Sequence, residues 1–287
     1  MITLQQFGFT YAGDHQPALQ ELNLNFAPGE FTVIAGANGA GKTSLCRALT
    51  GFIPHFYTGR QHGSLTLNGV ESAQLPLGEM TRQVGFVFQN PVNQLSGARF
   101  TVYEEVAFGL ENLGMAPVEM PARIERALAQ TGLHALAGRS PYQLSGGQQQ
   151  RLALASILVM QPAWLVLDEP TTLLDPAGRA EVLEVLTDLH RSGTSILIAT
   201  HDFEHVLPRA GRLILLEGGR VVADGTPLDV LTAPGSQLTG PALPRLLRAA
   251  QALQQAGRWP ADAPLPLTAA QAEAGFGRVL KDRGRHA

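Results

Sequence analysis

The chain has 287 residues, a hydrophobic fraction of 45%, a charged fraction of 16% and a net charge of −3. This composition is typical of a globular protein with one large domain and an appendage, or with two modest domains. No apolar run approaches the roughly 18 residues of a membrane span, and the slightly acidic balance gives no support to nucleic-acid binding, which usually leaves a basic footprint.

The first residues and the cysteine content indicate the compartment. Met1–Gln5 lacks the basic and apolar regions of a secretory signal. The single cysteine, Cys46, excludes an internal disulfide and suits a reducing compartment. A small, buried core residue on a helix is the favoured interpretation of Cys46. We therefore expect a cytoplasmic protein.

The first part of the chain predicts an antiparallel layer. Ile2–Phe9 and Leu19–Phe26 alternate apolar and polar residues, as half-buried strands do. Ser64–Leu67 is a further strand, closed by the hairpin signal Asn68-Gly69. Tyr11 is expected on a turn between the first two strands. It either stacks on an adenine ring or is a half-exposed loop aromatic.

A phosphate-binding loop follows that layer. Gly36–Thr43 reads G-x-x-x-x-G-K-T, between the apolar strand Phe31–Ala35 and a predicted helix over Ser44–Gly51. Its glycines permit positive φ, so backbone amides and the helix N-terminus converge on phosphate. Lys42 adds a mobile charge for the β- and γ-phosphates, and the Thr43 hydroxyl is placed to ligate Mg²⁺. The predicted ATP-binding residues of this segment are Gly36, Asn38, Gly39, Gly41, Lys42, Thr43 and Ser44.

Strands then alternate with helices, which predicts an α/β domain with a mainly parallel sheet. The remaining predicted strands are Val84–Phe88, Trp164–Leu167, Ser195–Ala199, Arg212–Glu217 and Arg220–Asp224. The region from about 90 to 160 reads as an inserted helical subdomain, where Thr101 and Glu104 form a capping box. A further helix is expected over Ala177–Ser192. Pro54–Gly59 is expected to be irregular.

The composition shifts beyond Thr232, where prolines separate two short helical pieces. We therefore divide the chain into a nucleotide-binding domain over 1–232 and a small helical extension over 233–287. The helical pieces are Leu243–Ala256 and Thr268–Lys281. The prolines are Pro234, Pro241, Pro244, Pro260, Pro264 and Pro266.

Two further segments carry chemistry. Asp168 leaves a buried strand and can hold Mg²⁺ through a water, and Glu169 can take a proton from an attacking water. Leu144–Gln148 places a serine and two glycines at the head of a helix, which forms a second anion site without a lysine. One chain thus has two sites for the phosphates of a nucleotide, and one of these sites is incomplete. This suggests that two chains share each nucleotide.

The sequence Leu-Ser-Gly-Gly-Gln after a helical insertion resembles the signature of the ATP-binding cassette (ABC) family. The resemblance covers about residues 1–230. Its other marks occur in the expected order, and they are Tyr11, Gly36–Thr43, Gln89, Asp168-Glu169, Leu174-Asp175 and His201. It implies an ABC-type P-loop NTPase core with a mainly parallel sheet, an N-terminal antiparallel layer, the helical insertion and the C-terminal extension.

The resemblance also implies the role of each site residue. Tyr11 stacks on adenine, and Thr43, Gln89 and, through water, Asp168 serve Mg²⁺. Glu169 is the catalytic base, and His201 contacts the γ-phosphate and polarises the attacking water.

Other implied roles concern a second ATPase subunit, in a homodimer or a heterodimer. The segment expected to meet the neighbour's nucleotide is Ser145, Gly146, Gly147 and Gln148, with Ser145 and Gly147 reaching its γ-phosphate. Asp175 lies in the loop that passes between subunits. Leu173 is bulkier than the residue common in the family, which alters packing at this contact. Every catalytic position is occupied.

The type of ABC protein follows from further resemblances. A chain without a span must dock on separate membrane subunits. Phe88–Leu95 resembles the Q-loop of energy-coupling factor (ECF) ATPases, which drive uptake of vitamins and of cobalt or nickel. The tail around Leu243–Leu247 and Pro264–Thr268 is similar to the C-terminal extension of those ATPases. Pro54–Tyr57 resembles the vitamin-type members. We therefore expect an ATPase on the cytoplasmic face of the membrane, with a transmembrane coupling subunit, a substrate-binding membrane subunit and no nucleic acid as partners.

Other classes of protein remain as alternatives. A soluble, non-transport ABC ATPase of translation or DNA repair usually carries two cassettes or a coiled coil and a basic surface. An ATPase of another ABC importer class shares the same motifs. A small-molecule kinase has no use for Leu144–Gln148, and a non-hydrolysing scaffold has no use for Glu169 and His201.

Overall fold

The structure is a computed structural model that describes residues 1–233, 243–260 and 262–283. The strands are β1 Ile2–Tyr11, β2 Leu19–Phe26, β3 Phe31–Ala35, β4 Gly59–Leu67, β5 Val70–Glu71, β6 Val84–Val87, β7 Trp164–Asp168, β8 Ser195–Ala199, β9 Arg212–Glu217 and β10 Arg220–Gly225. The helices are α1 Lys42–Leu49, α2 Phe52–His55, α3 Leu77–Gln83, α4 Val102–Asn112, α5 Met120–Gln130, α6 Gly146–Leu158, α7 Pro176–Arg191, α8 Phe203–Val206, α9 Pro227–Thr232, α10 Arg245–Gln255 and α11 Ala269–Arg283. The predicted α/β class is confirmed.

A four-stranded antiparallel sheet has the order β2-β1-β4-β5. Two expectations about it were wrong. Tyr11 is the last residue of β1 and pairs with Gly59, so it does not lie on a turn. For the same reason β4 begins at Gly59 rather than Ser64, because its polar first half is held by backbone pairing to β1. His62 therefore lies in β4, and α2 extends to His55, where the sequence predicted an irregular segment from Pro54.

The second sheet has six strands in the order β10-β9-β3-β8-β7-β6. Strands β9, β3, β8, β7 and β6 run parallel, and β10 is antiparallel to β9. Every residue of β3, β7 and β8 is buried, which explains why these strands read as continuous apolar runs. The carboxyl ends of β3, β7 and β8 lie at one edge of the sheet, so the loops that carry the predicted chemistry meet there.

Separate apolar clusters fill the space around the sheets. One joins the antiparallel layer to α1 and includes the buried Cys46. A second lies among β3, β8 and α7, and a third fills the helical insertion. Helix α6 links the last two clusters, because Leu154 belongs to the second and Leu152 to the third.

The helical insertion follows its predicted start signal. Thr101 accepts a hydrogen bond from the Glu104 amide at 3.2 Å, and the Glu104 carboxylate accepts one from the Thr101 amide at 3.0 Å. This is the capping box that the sequence predicted. Helix α3, which has only two turns, was not predicted.

The described residues from 243 onwards pack against the preceding part of the chain. Leu243 and Leu247 belong to the same buried cluster as Val206 and Leu207. A smaller cluster of its own includes Trp259 and residues of α10 and α11. The prolines at 234 and 241, which predicted breaks before α10, lie outside the described residues. Within the described ranges, we find no helix that is long and apolar enough to cross a membrane.

Candidate functional site

The phosphate-binding loop joins the end of β3 to the start of α1. Gly36, Gly39 and Gly41 have φ values of 149°, 79° and 104°, as the motif requires. A Cβ on Gly41 would lie 2.7 Å from the Ala18 carbonyl oxygen, and a Cβ on Gly36 would overlap the Leu216 carbonyl. Helix α1 has no side-chain cap, so its first amides are free to bind an anion.

Lys42 is folded back onto this loop. Its Nζ donates to the Gly36 carbonyl at 2.8 Å and to the Ala37 carbonyl at 3.2 Å, and the residue is buried. A ligand that attracts the ammonium group must therefore replace these two hydrogen bonds.

Asp168 and Glu169 follow each other at the end of β7 and are both buried. Asp168 Oδ1 makes no hydrogen bond to the described residues. Burial raises the pKa of Asp168 and the charge of Glu169 raises it further, while the Thr43 hydroxyl, Arg47 and Lys42 oppose the shift. A buried carboxylate oxygen without a donor suits a hydrated cation, which would stabilise the charge.

Glu169 and His201 are in direct contact. Glu169 Oε2 lies 2.8 Å from His201 Nδ1, and it also accepts hydrogen bonds from the Thr172 hydroxyl at 3.0 Å and the His201 amide at 3.4 Å. Since an ionised carboxylate only accepts, Nδ1 carries the proton in this arrangement. Glu169 also has a φ of 49°, an uncommon conformation for a non-glycine residue, and its amide is bonded to the Ala199 carbonyl.

These residues line one cleft of about 400 Å³. The sequence-predicted residues in its lining are Asn38, Gly39, Gly41, Lys42, Thr43, Ser44, Gln89, Asp168, Glu169 and His201. The lining also includes Thr172, which sequence reasoning missed, although it closely follows Asp168-Glu169. Within the described chain, no group of three or more His, Cys, Asp or Glu side chains is arranged to hold a metal by itself. A metal here would therefore need hydroxyl, amide or phosphate oxygens as well.

Tyr11 lies beside this cleft, outside its lining. Its hydroxyl shares a hydrogen bond of 3.0 Å with Ser44 Oγ and accepts one of 3.1 Å from Arg47. The Arg47 guanidinium lies over the Tyr57 ring, 4.2 Å from its centroid. Tyr11 is thus fixed to α1 through its hydroxyl group, and Arg47, which the sequence did not single out, holds it there.

The serine–glycine segment forms a second cleft of about 380 Å³, which shares no lining residue with the first. Its lining includes Ser145, Gly146, Gly147, Gln148 and Asp175. Ser145 caps α6 in a capping box whose other member is Gln148. Asp175 caps α7 by accepting a hydrogen bond from the Gly178 amide at 2.8 Å.

The starts of α6 and α7 form the walls of this second cleft. A Cβ on Gly147 would lie 3.2 Å from the Gly178 Cα, so the starts of α6 and α7 approach closely. Leu173, beside them, is exposed. The cleft therefore combines helix N-termini with an exposed apolar side chain and contains no lysine.

Comparison with known proteins decides the family. A family model described as ABC transporter matches residues 19–172, which is more than half of the chain. The chain belongs to the ABC transporter family. It is therefore an ATP-binding subunit that hydrolyses ATP, as members of this family do.

Curated relatives place this ABC ATPase with the ECF type, as the sequence predicted. It is 40% identical over 233 residues to the energy-coupling factor transporter ATP-binding protein EcfA1 of Lacticaseibacillus paracasei, covering 81% of each chain. It is 39% identical over 258 residues to EcfA of Methanosarcina acetivorans, covering 90% of this chain and 91% of that one.

Solved ABC ATPases have the same fold. The cbiO1 protein of Clostridium perfringens, described as part of the ABC transporter complex cbiONQ, is 29% identical, with a TM-score of 0.73 over 88% of this chain and 94% of its own. An ATP-binding cassette in a dimeric, post-hydrolysis state bound to ADP and Pi is 28% identical, with a TM-score of 0.67 over 79% of this chain and 98% of its own.

Proposed function

We propose that this ABC ATPase drives an ECF-type importer, coupling ATP binding and hydrolysis to the uptake of a vitamin-like micronutrient or a transition metal ion. The relatives named for energy-coupling factor transporters support this proposal. The observation that carries the hydrolytic part is the Glu169–His201 pair, with 2.8 Å between Oε2 and Nδ1, in the cleft of the phosphate-binding loop.

The nucleotide phosphates bind to the loop amides and the free amides at the start of α1. When ATP binds, the Lys42 ammonium group leaves the two loop carbonyls and donates hydrogen bonds to the β- and γ-phosphate oxygens instead. This change is favourable because both the donor and the new acceptors are charged. We propose that Tyr11, which is held against α1 by its hydrogen bonds to Ser44 and Arg47, stacks on adenine.

Thr43, Gln89 and the unpaired Oδ1 of Asp168 would hold Mg²⁺ in this cleft. Mg²⁺ held by these residues would stabilise the negative charge that develops on the phosphate oxygens during hydrolysis.

Glu169 takes the proton of the attacking water. The hydrogen bonds that the described residues make to this carboxylate all reach Oε2, and we propose that Oε1 contacts the water. His201 donates from Nδ1 and keeps the carboxylate oriented, and its exposed ring is free to turn towards the γ-phosphate. General-base assistance of this kind contributes about 10²–10⁴ in rate.

A second ATPase subunit completes the site. We propose that Ser145 and Gly147, with Gly146 and Gln148, face the γ-phosphate of the neighbour's nucleotide, and that Asp175 lies between the subunits. The two separate clefts support this arrangement, because each carries only part of a phosphate site. The partner is a second copy of this chain or a related ATPase. Hydrolysis removes the group that ties the halves together, and they separate.

Membrane subunits provide the transport path. We propose that the chain docks at the cytoplasmic face of the membrane on a coupling subunit, which works with a substrate-binding membrane subunit. The segment Phe88–Leu95 supports this location, because it lies between the core sheet and the helical insertion and includes Val92, which is exposed.

The experiment that tests this function is Glu169→Gln. We expect the variant to bind MgATP, to accumulate as a dimer and to lose about 10²–10⁴ in kcat. Glu184→Gln, at an exposed carboxylate on α7 outside both clefts, is the matched control and should retain wild-type turnover. Wild-type rates in Glu169→Gln would refute the assignment of the base. Co-purification from detergent extracts should bring down membrane proteins, and recovery of ribosomes instead would refute the transport role.

A further inference from the structure

Gln89 is a cleft residue whose position is not fixed by its own side chain. It is exposed, and its side-chain amide makes no hydrogen bond among the described residues. It follows β6, which is the edge strand of the parallel sheet. Its direction therefore depends on how the backbone around Phe88 is held.

Gln94 holds that backbone. Its Oε1 accepts a hydrogen bond from the Phe88 amide at 3.1 Å, and its Nε2 donates to the Phe86 carbonyl at 3.2 Å. In a parallel sheet, a residue of the neighbouring strand forms hydrogen bonds with the carbonyl of one residue and with the amide of the residue two positions later. The Phe86 carbonyl and the Phe88 amide are such a pair of groups. The Gln94 side chain thus supplies one rung of the missing strand at the edge of the sheet and closes the loop that begins at Gln89.

The next contact ties the same segment to the helical insertion. Glu105 of α4 accepts hydrogen bonds from the Ser96 amide at 2.6 Å and from the Ser96 hydroxyl at 2.8 Å. Its carboxylate is only 3% exposed, and no cation of the described residues forms an ion pair with it. Breaking these hydrogen bonds would leave a buried carboxylate without donors, which costs free energy. The contact therefore constrains the segment strongly.

We propose that Gln94 is the positioning residue for Gln89, and that Gln94–Ser96 with Glu105 forms a joint between the core sheet and the helical insertion. Three consecutive residues are held on one side by β6 and on the other by α4, and the central one, Leu95, packs against the apolar cluster of the insertion. This inference rests on the proposed role of Gln89 in the ATPase site.

The joint has a mechanical consequence. A shift of α4 moves Ser96 through Glu105, and the short segment transmits that shift to Gln94 and the amide before Gln89. Conversely, a ligand that pulls Gln89 into the cleft pulls on the insertion. The joint therefore links the cleft to the helical insertion in addition to the shared helix α6.

A double-mutant cycle tests whether Gln94 acts through Gln89. We expect Gln94→Ala to lower kcat by roughly 10- to 100-fold, as displaced catalytic groups do, with the Kd for ATP changed less than about threefold. In a Gln89→Ala background the same substitution should lower kcat less than about twofold, because the residue being positioned is gone. An equal loss in both backgrounds would overturn the proposal. Gln74→Ala, at an exposed amide outside both clefts and outside Phe88–Leu95, should match the wild type.

Amide hydrogen exchange of the nucleotide-free protein tests the joint independently of ATPase activity. Glu105→Ala should accelerate exchange of the Ser96 amide and also of the Phe88 amide on the other side of the joint. Glu105→Gln, which retains an acceptor oxygen, should restore slow exchange and at least half of kcat. Glu119→Ala, at an exposed carboxylate elsewhere in the helical insertion, should leave both amides protected.

The outcomes distinguish the joint from the function on which it rests. Unchanged protection of Phe88 in a folded Glu105→Ala protein would refute the joint, whatever its ATPase activity. A wild-type protein without ATPase activity would refute the proposed function, while the exchange data would still decide whether the joint exists. Thermal unfolding of each variant shows that it is folded before either comparison is made.

Discussion

Leu247→Ala tests whether the C-terminal extension belongs to the folding unit of the nucleotide-binding domain. Leu247 is fully buried and lies in the cluster that includes Val206 and Leu207, shortly after His201. The extension is also tied to this region by a hydrogen bond of 2.8 Å from the Arg245 amide to the Glu204 carboxylate. We expect the substitution to destabilise the whole chain.

The expected magnitude follows from the burial of the side chain. Truncation of a buried leucine to alanine costs about 2–5 kcal/mol. For a chain of this size, each kcal/mol lowers Tm by roughly 2–4 °C. The whole unfolding transition should therefore move down by roughly 4–20 °C. Leu280→Ala is the matched control, because Leu280 is 66% exposed and its loss should change stability by less than about 0.5 kcal/mol.

The two tryptophans make the assay specific. Trp164 lies in β7 of the core sheet, and Trp259 lies in the cluster of the extension. Trp164→Phe and Trp259→Phe variants leave one fluorescent reporter in each part. Both reporters should show the same transition, and Leu247→Ala should shift both by the same amount. A shift confined to the Trp259 signal would refute the reasoning and make the extension an independent unit.

Three further changes have defined outcomes. Lys42→Ala should raise the Kd for ATP about 10- to 150-fold, since a hydrogen bond to a charged group contributes about 1.5–3 kcal/mol; undiminished affinity in a calorimetric titration would contradict it. Gly41→Ala should lower the free energy of unfolding by at least about 1–3 kcal/mol, because a φ of 104° is strained for alanine and its Cβ would meet the Ala18 carbonyl. A denaturant midpoint equal to that of the wild type would contradict this expectation. Hydrogen bonds from the Phe100 and Thr101 amides lower the pKa of Glu104 from its ordinary value of 4.5. Its stabilising contribution is therefore present above pH 4.5 and lost as the pH falls through the lowered pKa. The Tm difference between the wild type and Glu104→Gln should be seen at pH 7 and disappear well below pH 4.5, and a constant difference would exclude the carboxylate as its source.

Local signals in the sequence predicted most of the strands and the phosphate-binding loop. The loop was predictable because its glycines and its flanking strand and helix are contiguous. The same holds for the capping box of α4, in which both partners lie within one turn. Parallel strands such as β8 were predicted at their true ends because they are buried on both faces and bounded by polar residues.

Features that depend on distant pairing were missed. The polar beginning of β4 is a strand only because β1 pairs with it, and the same pairing removes Tyr11 from its expected turn. Periodicity also does not reveal that Leu247 belongs to the same buried cluster as Val206 and Leu207.

In the candidate site, too, local motifs were predictable and contacts between distant residues were not. Motifs identified Asp168, Glu169 and His201, but only the structure brings Glu169 Oε2 within 2.8 Å of His201 Nδ1 and leaves Asp168 Oδ1 unpaired. The Gln94 contact to the edge of β6 has no sequence signature, because the side chain replaces a backbone partner.

The burial of Cys46 has a practical consequence for experiments on this protein. The thiol is inaccessible, and burial raises its pKa well above its ordinary value, so it is protonated and a poor nucleophile at neutral pH. Since it is the only cysteine of the chain, a new cysteine placed at an exposed position should be the sole site of maleimide labelling. Spin or fluorescent probes can then follow the two sides of the nucleotide cleft without any change to the native thiol.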